Sequence, residues 1–315
     1  MSYNQDQREL SAKIQIRELK KLQLQLQEEF KLNKAPQNYL ISRRFNPDKA
    51  IEFGIGYANR PNPSDYPNLN PAIPILINYR LTIPIYDTKG RIIAYAGRII
   101  TNNPNQPKYI NTPDSILFKK SQKLYGLNWT KEYITQQDHV IITEGYWDTI
   151  TLYRKGIKNS VATMGTAISP YQLHILSRYT NTIVSAFDQD QAGIKATNRL
   201  KIAVEKHNKT GNKDVDRDTT SGNRARNKDS YTKNRTKNKD KDGGNREKPR
   251  VNIENSRANM EKSPDPVRSR SKSVSVSTAL RVVELDLPDG FDPAEYVERY
   301  GGGKFRARVL RALAG

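Results

Sequence analysis

Between residues 139 and 206, short runs of Val and Ile alternate with stretches of helical period. His139-Val-Ile-Ile-Thr143, Ser160-Val-Ala-Thr-Met164 and Thr182-Ile-Val-Ser-Ala-Phe187 are too short for helices and rich in β-branched residues. Such runs predict strands buried on both faces. The segments between and after them, about 146–155, 170–179 and 191–206, predict helices. This strand–helix alternation implies an α/β fold with a parallel sheet and helices on both of its faces. The apolar pattern resumes at Leu280-Arg-Val-Val-Glu-Leu-Asp-Leu287, a fourth strand, with short helices expected at about 293–300 and 303–313.

Ahead of residue 139 the pattern is mixed. Leu10, Ile14, Leu19, Leu22 and Leu26 recur among Lys, Gln and Glu with no Gly or Pro, predicting a packing or linker helix from about 8 to 31. It must close before Pro36. A shorter helix is expected over 37–44, and a Pro- and Asn-rich surface loop over 59–74. Tyr79-Arg-Leu-Thr-Ile-Pro-Ile-Tyr86 and Arg91-Ile-Ile-Ala-Tyr-Ala96 flank Asp87-Thr-Lys-Gly90, the signature of a hairpin. A polar loop is expected over 101–113. Residues 208–277 hold few large apolar side chains, too few to offset the entropy of ordering, and read as a disordered basic insertion. The expected parts are an N-terminal helix (1–35), a basic α+β subdomain (36–130), the first part of the α/β domain (131–207), the insertion (208–277), and a last strand with C-terminal helices (278–315).

The net charge of +20 over 315 residues sharpens this picture. Residues 205–280 hold 20 basic and 11 acidic side chains, so +9 lies there and +11 elsewhere. A basic excess on the folded parts as well as the insertion points to a polyanionic partner, most simply nucleic acid. The absence of Cys excludes disulfides and thiolate zinc sites. No apolar run reaches the ~18 residues that span a bilayer, and the first residues lack the order of a signal peptide. A soluble intracellular protein is expected, with no membrane partner.

The candidate chemistry lies where the strands end. The first run stops at Glu144 in Glu144-Gly-Tyr-Trp-Asp148, and the third at Asp188 in Asp188-Gln-Asp190-Gln-Ala-Gly193. In parallel sheets ligands bind outside the carboxyl ends of the strands, so both acidic clusters fall on one edge. Neighbouring carboxylates repel unless a cation or proton compensates, and oxygen donors select a hard ion such as Mg²⁺ or Mn²⁺. Asp148 lies one turn into the next helix. Asp289 and Asp292 follow the fourth strand and reach the same edge if it joins the sheet. Met164-Gly165-Thr166 reads as a tight backbone turn, with Ser169-Pro170 capping the next helix. Arg98, Lys108, Tyr109, Asn111 and Lys120 form a basic and aromatic group suited to phosphate contacts and base stacking.

These motifs resemble a known family. Glu144-Gly-x-x-Asp148, the Gly165-Thr166 turn and Asp188-x-Asp190-x-Ala-Gly193 look like the Toprim domain of primases and topoisomerases. Phe53-Gly-Ile-Gly-Tyr-Ala58, Arg80-Leu-Thr-Ile-Pro-Ile85, Gly97-Arg98, Pro107-Lys-Tyr-Ile-Asn-Thr-Pro113, Lys120 with Leu124-Tyr-Gly-Leu127, and Leu287-Pro-Asp-Gly-Phe-Asp-Pro293 follow in the order of the bacterial replicative primases of the DnaG type. The resemblance covers about residues 36–206 and 280–313. It implies a Toprim-type parallel sheet behind the basic subdomain. It implies a DNA-directed RNA polymerase that makes short RNA primers on single-stranded DNA from ribonucleoside triphosphates by two-metal nucleotidyl transfer. In that setting Glu144, Asp188 and Asp190 are catalytic and hold Mg²⁺ or Mn²⁺, Asp148, Asp289 and Asp292 support the ions, and Arg98, Lys108 and Lys120 contact phosphates. The alternative is a weak or inactive primase-like nucleic-acid-binding protein. The family's zinc-binding domain and helicase-docking domain are not matched here, so a replicative helicase is a more distant partner. Ala294 stands where the family often has an acid, beside Glu295. The resemblance implies the cytoplasm, at the nucleoid, or an organelle stroma or matrix.

Overall fold

In a computed structural model of the chain, the described residues are 2–101, 103, 105–165, 167–210, 279–288 and 290–315. They carry two four-stranded sheets, one antiparallel in the order β1-β2-β3-β4 and one parallel in the order β6-β5-β7-β8. The first half runs α1 (Ser2–Leu32), α2 (Lys34–Ser42), α3 (Pro47–Glu52), β1 (Gly56–Tyr57), α4 (Ala72–Ile77), β2 (Arg80–Tyr86), β3 (Ile92–Ile99) and β4 (Tyr109–Asn111). The second half runs α5 (Leu127–Gln137), β5 (Val140–Thr143), α6 (Tyr146–Arg154), β6 (Ser160–Ala162), α7 (Pro170–Leu176), β7 (Thr182–Ser185), α8 (Gln191–Thr210), β8 (Arg281–Glu284), α9 (Pro293–Tyr300) and α10 (Gly302–Ala314).

The β2–β3 hairpin is the centre of the first sheet, Arg80 to Tyr86 pairing antiparallel with Ile99 to Ile92. Alternate residues feed two cores. Leu81, Ile83 and Ile85 face a cluster shared with Phe30, Phe45, Tyr125, Tyr146 and Ile150. Tyr95 and Ile92 face another with Leu19, Leu22 and Leu26 of α1 and Ile73 and Ile77 of α4. The α1 helix therefore packs on the sheet, and the Tyr95 hydroxyl donates to the Leu19 carbonyl at 2.8 Å. Each such fully buried Ile or Leu stabilises the fold by about 2 kcal/mol.

Three expectations for this half need correction, and one helix is additional. The 59–74 segment is not simply a surface loop: Tyr66 and Leu69 are buried against α1, and α4 begins at Ala72. The 101–113 loop ends in β4, whose Tyr109 pairs with Arg98 of β3. The second helix spans Lys34–Ser42 and starts three residues before the expected 37. The α5 helix was not foreseen.

The parallel sheet matches the apolar runs. Strands β5, β6 and β7 lie inside the expected 139–143, 160–164 and 182–187, and Arg281–Glu284 joins β7 in parallel as the fourth strand. Helices cover both faces. Val140, Ile142 and Ile183 pack with Leu173 of α7 and Leu200 of α8, whereas Ile141 and Val184 pack with Leu152 of α6, Val297 of α9 and Phe305 of α10. The expected insertion begins inside α8, which runs to Thr210, and from residue 211 to 278 it lies outside the described residues. Its two ends are fastened together: the Asn208 amide donates to the Leu280 carbonyl and accepts the Leu280 N–H, each at 2.9 Å. Among the described residues, no helix is long and apolar enough to cross a membrane.

Candidate active site at the carboxyl edge of the parallel sheet

Strands β5 and β7 are neighbours, and the chain leaves them toward opposite faces, into α6 and α8 respectively. This divergence marks the switch point at which open parallel sheets bind ligands. Glu144 follows β5 directly, and Asp188 follows β7 after Ala186 and Phe187.

Both carboxylates feel the negative charge around them. Burial, then Glu144, Asp292, Asp190 and Glu295, push the Asp188 pKa up to about 6. Burial, then Asp190, also raise Glu144. One carboxylate oxygen of Glu144, Oε1, is buried with no hydrogen-bond partner. Burial, then Asp292 and Asp188, hold Asp148 well above the usual carboxylate range, against the N–H of Gly145 that its Oδ2 accepts at 3.1 Å. Repulsion of this kind persists only where the fold over-determines the positions and a cation or proton answers it. Among the described residues, no three acidic or histidine side chains stand close enough to surround one ion. The donors fit a hard divalent cation by chemistry and by the orphaned Glu144 oxygen, and its binding would draw the side chains inward.

Two acids also have structural duties. Asp190 Oδ1 accepts the N–H groups of Ala192 at 2.9 Å and Gly193 at 2.8 Å, so it caps α8. Asp292 caps α9, accepting the Glu295 N–H at 2.6 Å. Gly193 is there because of a close approach: a Cβ would lie 1.8 Å from the Asp188 carbonyl oxygen. The turn after β6 is tight, as expected, with Met164 and Gly165 at φ 65° and 80°. The Gly165 N–H donates to the Glu144 carbonyl at 3.2 Å, joining the turn to the acidic edge. Ser169 caps α7 reciprocally with Gln172. Asp289 and Thr166 lie outside the described residues.

The basic group is placed in three ways. Arg98, half-buried on β3, lies between Tyr39 and Tyr109, its guanidinium 5.5 and 4.7 Å from their ring centroids. Tyr109 touches the acidic edge electrostatically: burial is the largest cause of its raised pKa, opposed by Arg98 and assisted by Asp148. Asn111 accepts the Tyr146 hydroxyl of α6, which ties β4 to the helix after Glu144. Lys120 is reached through the segment that follows it. Tyr125 bridges Ala162, the last residue of β6, in antiparallel sense, and the Ser121 and Lys123 carbonyls accept hydrogen bonds from Ser169 and Gln172 at the start of α7. Lys120 therefore stands beyond the carboxyl end of β6, and burial lowers its pKa against Asp114. Lys108 is exposed, and what the structure fixes there is the backbone, its carbonyl accepting the Ile99 N–H at 3.1 Å.

A cavity of about 350 Å³ adjoins the edge, lined by Phe45, Trp147, Phe291, Arg43, Asp148 and Asp292 among others. Sequence reasoning missed Tyr39, Tyr146, Arg43 and the reach of Glu295. Tyr146 stood inside the Glu144-Gly-Tyr motif, which was a usable signal. Tyr39 is 59 residues from Arg98 and carried none.

Residues 68–131 match the model of the DNA primase catalytic core, N-terminal domain, and residues 141–220 match a Toprim-like model. The DNA primase of Synechococcus elongatus is 36% identical over 199 residues, covering 60% of this chain and 27% of that one. The DNA primase of Aquifex aeolicus is 36% identical over 184 residues, covering 52% and 36%. The chain thus spans about a third of the length of these curated relatives. Among solved structures, a DNA primase domain from Pseudomonas aeruginosa aligns with a TM-score of 0.57 at 26% identity, covering 88% of this chain and 71% of that one. The Aquifex aeolicus primase zinc-binding and RNA polymerase domains align with a TM-score of 0.64 at 24% identity, covering 96% and 61%. The chain therefore carries the N-terminal domain of a DNA primase catalytic core and a Toprim-like domain, the parts in which it is similar to the DnaG-type bacterial DNA primases.

Proposed function

We propose that this chain performs DNA-templated synthesis of short RNA primers, joining ribonucleoside triphosphates on single-stranded DNA. The observation that carries the reading is the carboxyl edge of β5 and β7, where the Asp190 charge raises the proton affinity of Glu144, and Glu144 and Asp190 raise that of Asp188, beside an orphaned Glu144 carboxylate oxygen. A nucleic-acid-binding module gains nothing from such repulsion, whereas phosphoryl transfer needs it.

In this reading Glu144, Asp188 and Asp190 hold Mg²⁺ or Mn²⁺, with Asp148, Asp289 and Asp292 in support. The bound ions supply Lewis-acid charge to phosphate oxygens and ease deprotonation of the attacking hydroxyl. The protein's own residues do the rest. Arg98 and Lys120 present positive charge to the phosphates from two sides of the edge, and Lys108 extends that surface into solvent. Asp190 couples its position to α8, so the acidic pair moves with a rigid helix rather than a free loop. The enzyme acts wherever its DNA template is held, at the nucleoid in a bacterial cell.

The test is a primer-synthesis assay on single-stranded DNA with labelled ribonucleotides and Mg²⁺ or Mn²⁺. Products from the intact chain that vanish in Glu144→Gln and Asp188→Asn support the reading. Intact DNA binding with no product under any condition sinks it and leaves a binding protein.

A further inference from the structure

We propose that Tyr39 is a positioning residue that holds Arg98 in place while leaving its charge free for a phosphate group. The inference rests on the reading of Arg98 as a phosphate contact. Tyr39 lies on α2, outside both segments that match family models.

A half-buried guanidinium must find partners, and carboxylates are the usual ones. Arg98 takes neutral ones. Its Nε donates to the Tyr39 hydroxyl, and its plane lies against the Tyr39 and Tyr109 rings. Among the described residues it forms no ion pair. Burial acts against its charge, but the phenol oxygens of Tyr109 and Tyr39 outweigh burial, and its pKa lies above the ordinary value. The charge is therefore held but not cancelled. A Glu at position 39 would fix the guanidinium as firmly, through a charge-assisted hydrogen bond, and would spend its field on an internal pair. Aromatic partners are the choice that suits an arginine kept ready for an external anion.

The helix places Tyr39 for this task. Pro36 and Leu40 are buried and anchor α2 to the core, which leaves Tyr39 half-buried on the side that meets β3. Beyond Arg98, Tyr109 is the next group toward Asp148. The anion received here is a phosphate next to the acidic edge, supplied either by template DNA or by a nucleotide.

The test uses the full chain and the variants Tyr39→Phe, Tyr39→Glu and Arg98→Gln. Two probes separate the phosphate sources: a fluorescent single-stranded oligodeoxynucleotide and inorganic triphosphate. Tyr39→Glu is expected to weaken binding of one probe about tenfold, as Arg98→Gln does, the size of one lost charge-assisted hydrogen bond. Its urea midpoint is expected to hold or rise, which a merely structural role does not predict. Tyr39→Phe keeps the ring and loses only the hydroxyl, so a loss of about threefold is expected. The double variant Tyr39→Glu/Arg98→Gln is expected to lose no more than either single one. If DNA is the source, the salt slope of binding falls by about 0.7, one phosphate on a single strand. If Arg98→Gln weakens binding while both Tyr39 variants bind as wild type, Tyr39 has no such role. If Arg98→Gln binds both probes as wild type, the reading of Arg98 itself fails. Neither result depends on whether the chain makes primers.

Discussion

Replacing Asp188 with Asn tests the electrostatic core of the site without reference to catalysis. Asp188 stands at about 6 instead of 3.8, chiefly through burial and then through Glu144, Asp292 and Asp190. The folded protein thus retains a proton that the unfolded chain has released. Stability without metal is fullest below about pH 4, falls as the pH rises toward about 6, and stays low above it. A shift of about two units corresponds to about 3 kcal/mol. Solvent screening of a partly exposed carboxylate reduces this to about 1.5 kcal/mol. Asp188→Asn removes the repulsion and retains the shape, and among the described residues this side chain accepts no hydrogen bond that Asn would forfeit. Urea denaturation without divalent ions is expected to show the variant about 1.5 kcal/mol more stable at pH 7.5 and equal to wild type at pH 4. Millimolar Mg²⁺ is expected to stabilise wild type and leave the variant unchanged. A variant less stable than wild type at pH 7.5, or a gap of the same size at both pH values, refutes the reasoning.

Asp190 separates charge from capping: Asp190→Asn keeps a cap of equal quality and is expected to lose primer synthesis without losing stability, whereas Asp190→Ala is expected to be about 1 kcal/mol less stable than Asp190→Asn in urea unfolding. Gly193→Ala drives a methyl group into the Asp188 carbonyl, and a loss of about 3 kcal/mol is expected by the same measurement. Asn208→Ala deletes both hydrogen bonds to Leu280, so a loss of about 2 kcal/mol is expected, and hydrogen exchange is expected to quicken first at Arg281–Glu284.

The parallel sheet was legible because its strands are buried on both faces, which forces near-continuous Val and Ile at 140–142, 161 and 183–184. The carboxylates were legible because parallel topology sends every strand's carboxyl end to one edge. What escaped was short or distant. The α5 helix opens at Gly126 in the left-handed region, with no side-chain cap, and buries only Leu127, Thr130 and Ile134. The β4 strand is three residues long and exists only because β3 is there to pair with. The Tyr39–Arg98 contact belongs to tertiary packing and leaves no periodicity behind. The double duty of Asp190 and Asp292 as caps was also hidden, since an acid before a helix looks the same whether it serves the helix, the ligand or both.

Asn208 reaches Leu280 as a neighbouring strand would, giving and taking one hydrogen bond with the same backbone unit. For the sheet, the 71 intervening positions are thereby shortened to a single joint. Loop-closure entropy grows only with the logarithm of length, so doubling or halving that stretch alters it by only about 0.6 kcal/mol. The joint between α8 and β8 is therefore a place where descent can add, remove or exchange sequence while the register of β8, and with it the path to Asp292, stays as it was.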